Sequence, residues 1–87
     1  MEEGMNIYLI SQEVNSDYDT YDSAIVAANN VKDAQKMHPS NGAECLSRDE
    51  IDYYTEWCGY EDVRVELLGV AMQGTKKMVL LASYNAG

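Results

Sequence analysis

The chain has 87 residues, 46% of them hydrophobic and 24% charged, so its composition predicts one folded domain over residues 1–87 rather than a disordered tail. Its 15 acidic and 6 basic residues give a net charge of −9, which argues against free nucleic acid or an anionic membrane as a direct partner. No apolar run reaches the roughly 18 residues of a membrane helix, and the first residues lack a signal-peptide pattern, so we expect a cytoplasmic protein.

The first part of the chain predicts a β-hairpin. Residues 6–13 combine β-branched and aromatic side chains and are apolar on both faces around residues 8–10, which is typical of a central strand. Residues 15–20 are rich in Asn, Asp and Ser, which favour a chain reversal, and residues 21–28 read as a second strand. A short polar loop between two strands makes their antiparallel pairing the simplest arrangement.

A helix is predicted to follow the second strand. Asn30 can cap it by accepting a hydrogen bond from the backbone of Asp33, and the helix should end at His38, before Pro39. Its apolar face would consist of Val31, Ala34 and Met37.

A second short helix is expected over residues 48–58. Ser47 and Glu50 have the spacing of a capping box, and Gly59 can close the helix, although the many aromatic residues leave an irregular loop as a competing interpretation. At helical spacing the inward stripe would be Ile51, Tyr54 and Cys58. The outward face would carry Asp49, Asp52 and Glu56, with Tyr53 alongside.

The last third of the chain predicts two more strands. The third begins with an alternation at residues 63–67 and continues to residue 72. Its inward residues would be Val63, Val65 and Leu67, and its outward residues Arg64 and Glu66. Residues 73–77 form a predicted hairpin turn, and residues 78–83 a fourth strand that we expect to be buried on both faces at its centre. The order β-β-α-(α)-β-β predicts an α+β fold, a mostly antiparallel four-stranded sheet with one or two short helices on one face.

Acidic and aromatic residues are interleaved between residues 44 and 62. Seven carboxylates occur there with Arg48 as the one basic residue. Rows of negative charge between rings suit a basic groove that normally holds phosphates, because the charges steer encounter and the rings supply contact area. The predicted partner-binding residues are Asp49, Asp52, Glu56, Tyr53, Trp57 and Tyr60, assisted by Asp17, Asp19 and Asp22. The alternative is a solvated helix face whose aromatic residues belong to the core.

Other site chemistries are disfavoured by spacing. Residues 69–76 have the glycine spacing of a phosphate loop, but the final Lys and Thr are reversed and a strand follows instead of a helix. Asp17, Asp19 and Asp22 begin like a calcium loop but lack its later glycine and glutamate. Cys45, Cys58 and His38 have no zinc-ligand spacing, and a single His forms no catalytic triad. We therefore predict no catalytic residue, no metal site and no cofactor.

Four segments resemble those of short acidic phage-encoded proteins of unknown function. They are residues 18–24, 34–39, 61–66 and 80–87. The resemblance implies a bacterial host cytoplasm and a class that includes inhibitors of host defence, such as anti-CRISPR proteins. It supplies no catalytic residue.

These features favour a non-enzymatic phage inhibitor that occludes the basic surface of a host nucleic-acid-binding protein. A homodimeric interaction domain is the first alternative, because neither the third nor the fourth strand contains the proline or internal lysine that protects an exposed edge. A small-molecule sequestering protein is the second. For phosphorylated ligands it would require basic residues to converge in space, namely Arg48, Arg64, Lys76 and Lys77.

Overall fold

A computed structural model describes residues 5–14, 20–50 and 57–85. The strands are β1 (Asn6–Ser11), β2 (Thr20–Ala28), β3 (Arg64–Val70) and β4 (Met78–Asn85). One α-helix, α1 (Val31–Gln35), and two 3-10 helices, η1 (Arg48–Glu50) and η2 (Tyr60–Asp62), complete the described elements. The strands form one antiparallel sheet in the order β3-β1-β2-β4, so the predicted α+β class is confirmed. Among the described residues, no helix is long and apolar enough to cross a membrane.

The β1–β2 hairpin is confirmed. The two strands pair antiparallel from Asn6 opposite Ala28 to Ser11 opposite Ser23. β1 also pairs with β3, which makes it a central strand, as its apolar residues on both faces predict.

Helix α1 begins as predicted and ends early. The Asn30 side chain accepts a hydrogen bond of 2.8 Å from the backbone N–H of Asp33. The helix ends at Gln35 rather than at His38, because the chain turns there: the His38 N–H donates to the carbonyl of Ala43 at 2.8 Å. This turn takes residues 37–44 out of the helical path before the proline is reached.

One face of the sheet is covered by α1 and by the segments that follow it, and the core lies between the two layers. Helix α1 contacts β1, β2 and β3. The sheet contributes five residues to the buried core: Tyr8, Ile10, Ala24, Val26 and Ala28. The covering layer contributes six residues: Ala34, Met37, Cys45, Trp57, Cys58 and Val63.

The described residues test the predicted second helix only at its two ends. One 3-10 turn forms at Arg48–Glu50, residues 51–56 lie outside the described residues, and Trp57 and Cys58 are not helical. Cys58 does face the core, as predicted. Helix η2 was not predicted; it starts directly after Gly59.

Predictions for the last two strands were partly wrong. β3 and β4 lie at opposite edges of the sheet, so no β3–β4 hairpin exists and their connection crosses between the edges. Leu81 is 65% exposed, which contradicts burial of the fourth strand on both faces, and the supposedly inward Leu67 is 60% exposed. The reason is that an edge strand has a neighbour on one side only, and the covering layer lies on one face of the sheet.

Candidate functional site

Four acidic residues lie on the two 3-10 helices of the covering layer, η1 and η2. The backbone N–H of Tyr60 donates to the carbonyl of Leu46 at 3.2 Å, and the hydroxyl of Ser47 donates to the carboxylate of Glu61. These contacts join the two 3-10 helices. The resulting acidic cluster consists of Asp49, Glu50, Glu61 and Asp62, of which the first three are exposed and Asp62 is half-buried.

A capping box shapes one side of the acidic cluster. The carboxylate of Glu50 accepts a hydrogen bond of 3.0 Å from the N–H of Ser47, as the sequence predicts. The Ser47 hydroxyl lies 3.4 Å from the N–H of Asp49, one residue earlier than in the ideal box. The Glu50 carboxylate therefore has a structural role. Asp49 contributes only its backbone N–H to the cap, and its side chain is exposed.

The aromatic residues of the predicted ridge do not behave as surface anchors. Trp57 is only 2% exposed and packs in the core, so its assignment to a partner-binding surface is wrong. Tyr60 is half-buried, and the Lys36 ammonium lies 4.9 Å from the centre of its ring. The Gln35 side chain also donates to the Tyr60 carbonyl at 2.8 Å. Trp57 holds the covering layer on the sheet because its large apolar surface is more stable away from water.

The remaining predicted residues are distributed elsewhere. Asp22 is exposed on β2, in the sheet, whereas Asp49 lies in the covering layer. Asp17, Asp19, Asp52, Tyr53 and Glu56 lie outside the described residues.

The two cysteines are buried free thiols. Burial, followed by the nearby charge of Glu44, raises the pKa of the Cys45 thiol to about 11. Burial is also the first cause at Cys58, where Asp62, Cys45 and Glu61 add to it and raise the pKa to about 12. A nucleophilic or metal-binding cysteine needs the thiolate, so neither residue is suited to such chemistry at neutral pH.

We expect the thiols to make stability fall at alkaline pH. The thiols of the unfolded chain lose their protons above the ordinary pKa of 9.0, whereas those of the folded chain stay protonated until about 11 and 12. Stability present below pH 9 is therefore lost as pH rises, by about 1 kcal/mol per pH unit for each thiol. Urea unfolding at pH 8 to 11 measures this loss in the free energy of unfolding. The matched control is the Cys45→Ala, Cys58→Ala variant, whose curve should be flatter; equal slopes would contradict this assignment.

His38 is held within its own loop. Its Nδ1 accepts a hydrogen bond of 3.1 Å from the N–H of Ser40 and lies 2.8 Å from that residue's hydroxyl. Its ring meets the ring of Tyr21 edge-on, with 6.1 Å between centroids. Within residues 5–14, 20–50 and 57–85, no three His, Cys, Asp or Glu side chains are close enough together to hold a metal ion.

An open cleft of about 270 Å³ lies beside α1. It is lined by Lys32, Asp33, Lys36, Gly42, Glu44 and Lys77. Of the four basic residues whose convergence a phosphorylated ligand would require, Lys77 alone lines this cleft, joined by Lys32 and Lys36. Two carboxylates share the cleft with the three ammonium groups, so most of the local charge is balanced within the protein.

The sheet face opposite the covering layer was missed by sequence reasoning. The strand registers place three rows of side chains across it. From the β3 edge to the β4 edge they are Arg64, Ser11, Ser23, Ser83; then Glu66, Leu9, Ile25, Leu81; then Gly69, Ile7, Ala27, Met78. We call these twelve residues the open face. Its signals in the sequence were the apolar residues on both faces of β1 and the uncharged run at 78–85.

The open face is apolar where most solvated sheets are polar. An antiparallel sheet with one solvated face normally alternates apolar inward and polar outward residues. Here the second and third rows carry Leu9, Ile25 and Leu81, then Ile7 and Met78. Met78 is 47% and Leu81 65% exposed, so the apolar surface reaches solvent at the β4 edge.

No protein-family model, no curated protein and no solved structure matches the chain.

Proposed function

We propose that this chain is a non-enzymatic binding protein that occludes a basic surface of a partner protein with its covering layer. The acidic cluster supports the proposal: η1 and η2, which contact each other, carry four acidic residues in a chain whose net charge is −9. Such a surface attracts a cationic partner and repels free nucleic acid and anionic membranes. A protein that binds nucleic acid presents a cationic surface of this kind.

The partner class is narrowed by the resemblance to short phage-encoded proteins. It points to a nucleic-acid-binding protein of a bacterial host, including the effectors of host defence. Among the described residues of the acidic cluster, we assign contact with the partner first to Asp49. This residue is exposed, and its carboxylate takes no part in the capping box. Asp52, Tyr53 and Glu56 belong to the same proposed surface by sequence. Trp57 does not, since it is core.

Charge reversal tests this proposal. We expect Asp49→Lys to weaken binding to a basic host protein captured from a bacterial lysate by about tenfold at low salt, because an attraction becomes a repulsion. Titration calorimetry with the purified captured protein measures the effect. Affinity of the unmodified chain should also fall steeply as salt rises, since the contact is ionic.

The matched control is Glu66→Lys, which changes the net charge by the same amount at an exposed position of β3. It should leave affinity within about twofold of the unmodified chain. An equal loss in both variants would show that total charge, and not the covering layer, governs binding. Affinity unchanged by Asp49→Lys and by salt would contradict the electrostatic mechanism.

A further inference from the structure

We infer that the cleft beside α1 is a binding site for a small phosphorylated molecule that also carries hydroxyl groups, such as a sugar phosphate. This inference is independent of the acidic cluster, which lies on η1 and η2 and shares no residue with the cleft. The cleft volume is about 270 Å³. Small-molecule sites commonly measure roughly 300 to 1,000 Å³, so this cleft suits a ligand at the small end of that range.

Half of the basic residues of the chain meet at this cleft. The chain has six Lys and Arg residues, and three of them line it. Lys32 and Lys36 are four residues apart, on α1 and at its end, and therefore lie on the same side of it. Lys77 comes from the segment directly before β4. The turn after α1 lies close to this segment, since a methyl group at Gly42 would be 3.9 Å from a methyl carbon of Val79.

The charged groups of the cleft form no ion pairs with one another. Among the described residues, no salt bridge joins the three ammonium groups to the carboxylates of Asp33 and Glu44. The Lys36 ammonium lies 4.9 Å from the centre of the Tyr60 ring, which does not neutralise its charge. Three ammonium groups and two carboxylates give the cleft a charge of 3 − 2 = +1, against −9 for the whole chain. Lys32 and Lys36 repel each other at this spacing, and a bound anion relieves that repulsion.

The mixture of charges identifies the chemistry of the ligand. A lysine ammonium is a compact charge with three N–H donors, and a phosphomonoester presents three acceptor oxygens and a charge of about −1.5 to −2 at pH 7. A carboxylate repels phosphate and accepts strong hydrogen bonds from hydroxyl groups. Inorganic phosphate would therefore leave Asp33 and Glu44 without a favourable contact. A sugar phosphate offers oxygens to the lysines and hydroxyl groups to the carboxylates.

The charge of the rest of the chain restricts the ligand to a small molecule. In about 0.15 M salt, interactions between charges more than about 8 Å apart are largely screened, so a compact anion in the cleft responds mainly to the three lysines. A nucleic acid or an anionic membrane extends beyond the cleft and meets a chain of net charge −9. Such a partner is repelled, whereas a free sugar phosphate is not.

A titration followed by NMR of the ¹⁵N-labelled chain tests this inference, with glucose 6-phosphate, inorganic phosphate and glucose as probes. We expect glucose 6-phosphate to bind with a dissociation constant on the order of 1 mM, since the cleft is open, and inorganic phosphate to bind at least about fivefold more weakly. Glucose should not bind. The largest amide shifts should occur at Gly42 and Lys77. Equal affinity for the two phosphates, or no binding of glucose 6-phosphate, would overturn the inference.

Two neighbouring lysines provide matched variants. Lys76 and Lys77 are both exposed, and only Lys77 lines the cleft. Lys77→Gln should weaken binding of glucose 6-phosphate at least about fivefold, whereas Lys76→Gln, which removes the same charge, should weaken it less than about twofold. Circular dichroism should show an unchanged fold, because both changes are on the surface. Equal weakening would show a general attraction of anions to lysine and would overturn the cleft as the site.

The variant Glu44→Ala tests the hydroxyl contact. Loss of this carboxylate should strengthen binding of inorganic phosphate, because a repulsion is removed. The preference for glucose 6-phosphate over inorganic phosphate should fall at least about threefold, because a hydrogen-bond acceptor is removed as well. An unchanged preference would overturn the assignment of hydroxyl groups to the ligand.

A phosphoinositide headgroup presents the same phosphate and hydroxyl chemistry on a membrane. Because the chain has a net charge of −9, we expect it not to sediment with vesicles of phosphatidylcholine and phosphatidylinositol 4-phosphate. Sedimentation with these vesicles without binding of free glucose 6-phosphate would overturn a small soluble ligand. None of these results depends on Asp49, so the proposed function is tested separately.

Discussion

The variant Val26→Asp should lose more than about 4 kcal/mol of stability, whereas Ile25→Asp should lose only about 1 kcal/mol. These neighbours on β2 face opposite sides of the sheet: Val26 has no exposed surface and lies in the core, and Ile25 lies on the open face. A carboxylate buried without a partner costs more than about 4 kcal/mol, and a chain of this size has a total stability of roughly 4 to 13 kcal/mol. Far-UV circular dichroism and urea titration measure both variants.

The comparison at Ile25 is the control for the loss of β-propensity. Aspartate is unfavourable in any strand by about 1 kcal/mol, so Ile25→Asp should lower stability modestly and remain folded. If the two variants were equally destabilised, the open face would be covered in the monomer. That result would contradict the division of the sheet into a covered face and an open face.

The variant Trp57→Ala should lose about 3 to 5 kcal/mol of stability. Trp57 is the largest of the fully buried side chains and joins the covering layer to the sheet. Removing its ring leaves a cavity between the two layers, because a packed core relaxes only partly around a truncated side chain. Urea unfolding followed by circular dichroism measures the loss.

The control for Trp57→Ala is Met72→Ala. Met72 is 84% exposed, so this truncation should change stability by less than about 0.5 kcal/mol. Trp57 is also the one tryptophan of the chain, and its fluorescence should shift to longer wavelength on unfolding. A stable Trp57→Ala variant that instead loses partner binding would restore Trp57 as a surface anchor.

Local physics made several elements predictable. The helix cap at Asn30 depends on a contact three residues away, and the β1–β2 hairpin depends on a short polar loop between two strand-forming segments. The Ser47–Glu50 cap formed as well. The predicted helix does not extend to Trp57 and Cys58, because burying these two residues against the sheet outweighs the weak helix propensity of an aromatic-rich segment.

The sequence by itself determined the α+β class, the central position of β1 and the acidic character of the chain, because each depends on composition or on residues close together along it. Only the tertiary structure decided that β3 and β4 lie at opposite edges, that Trp57 is core, and that apolar residues line the sheet face opposite the covering layer. Strand order and layer assignment depend on contacts between residues far apart in the chain. An apolar side chain looks the same in the sequence whether its neighbour is another layer of the protein or water.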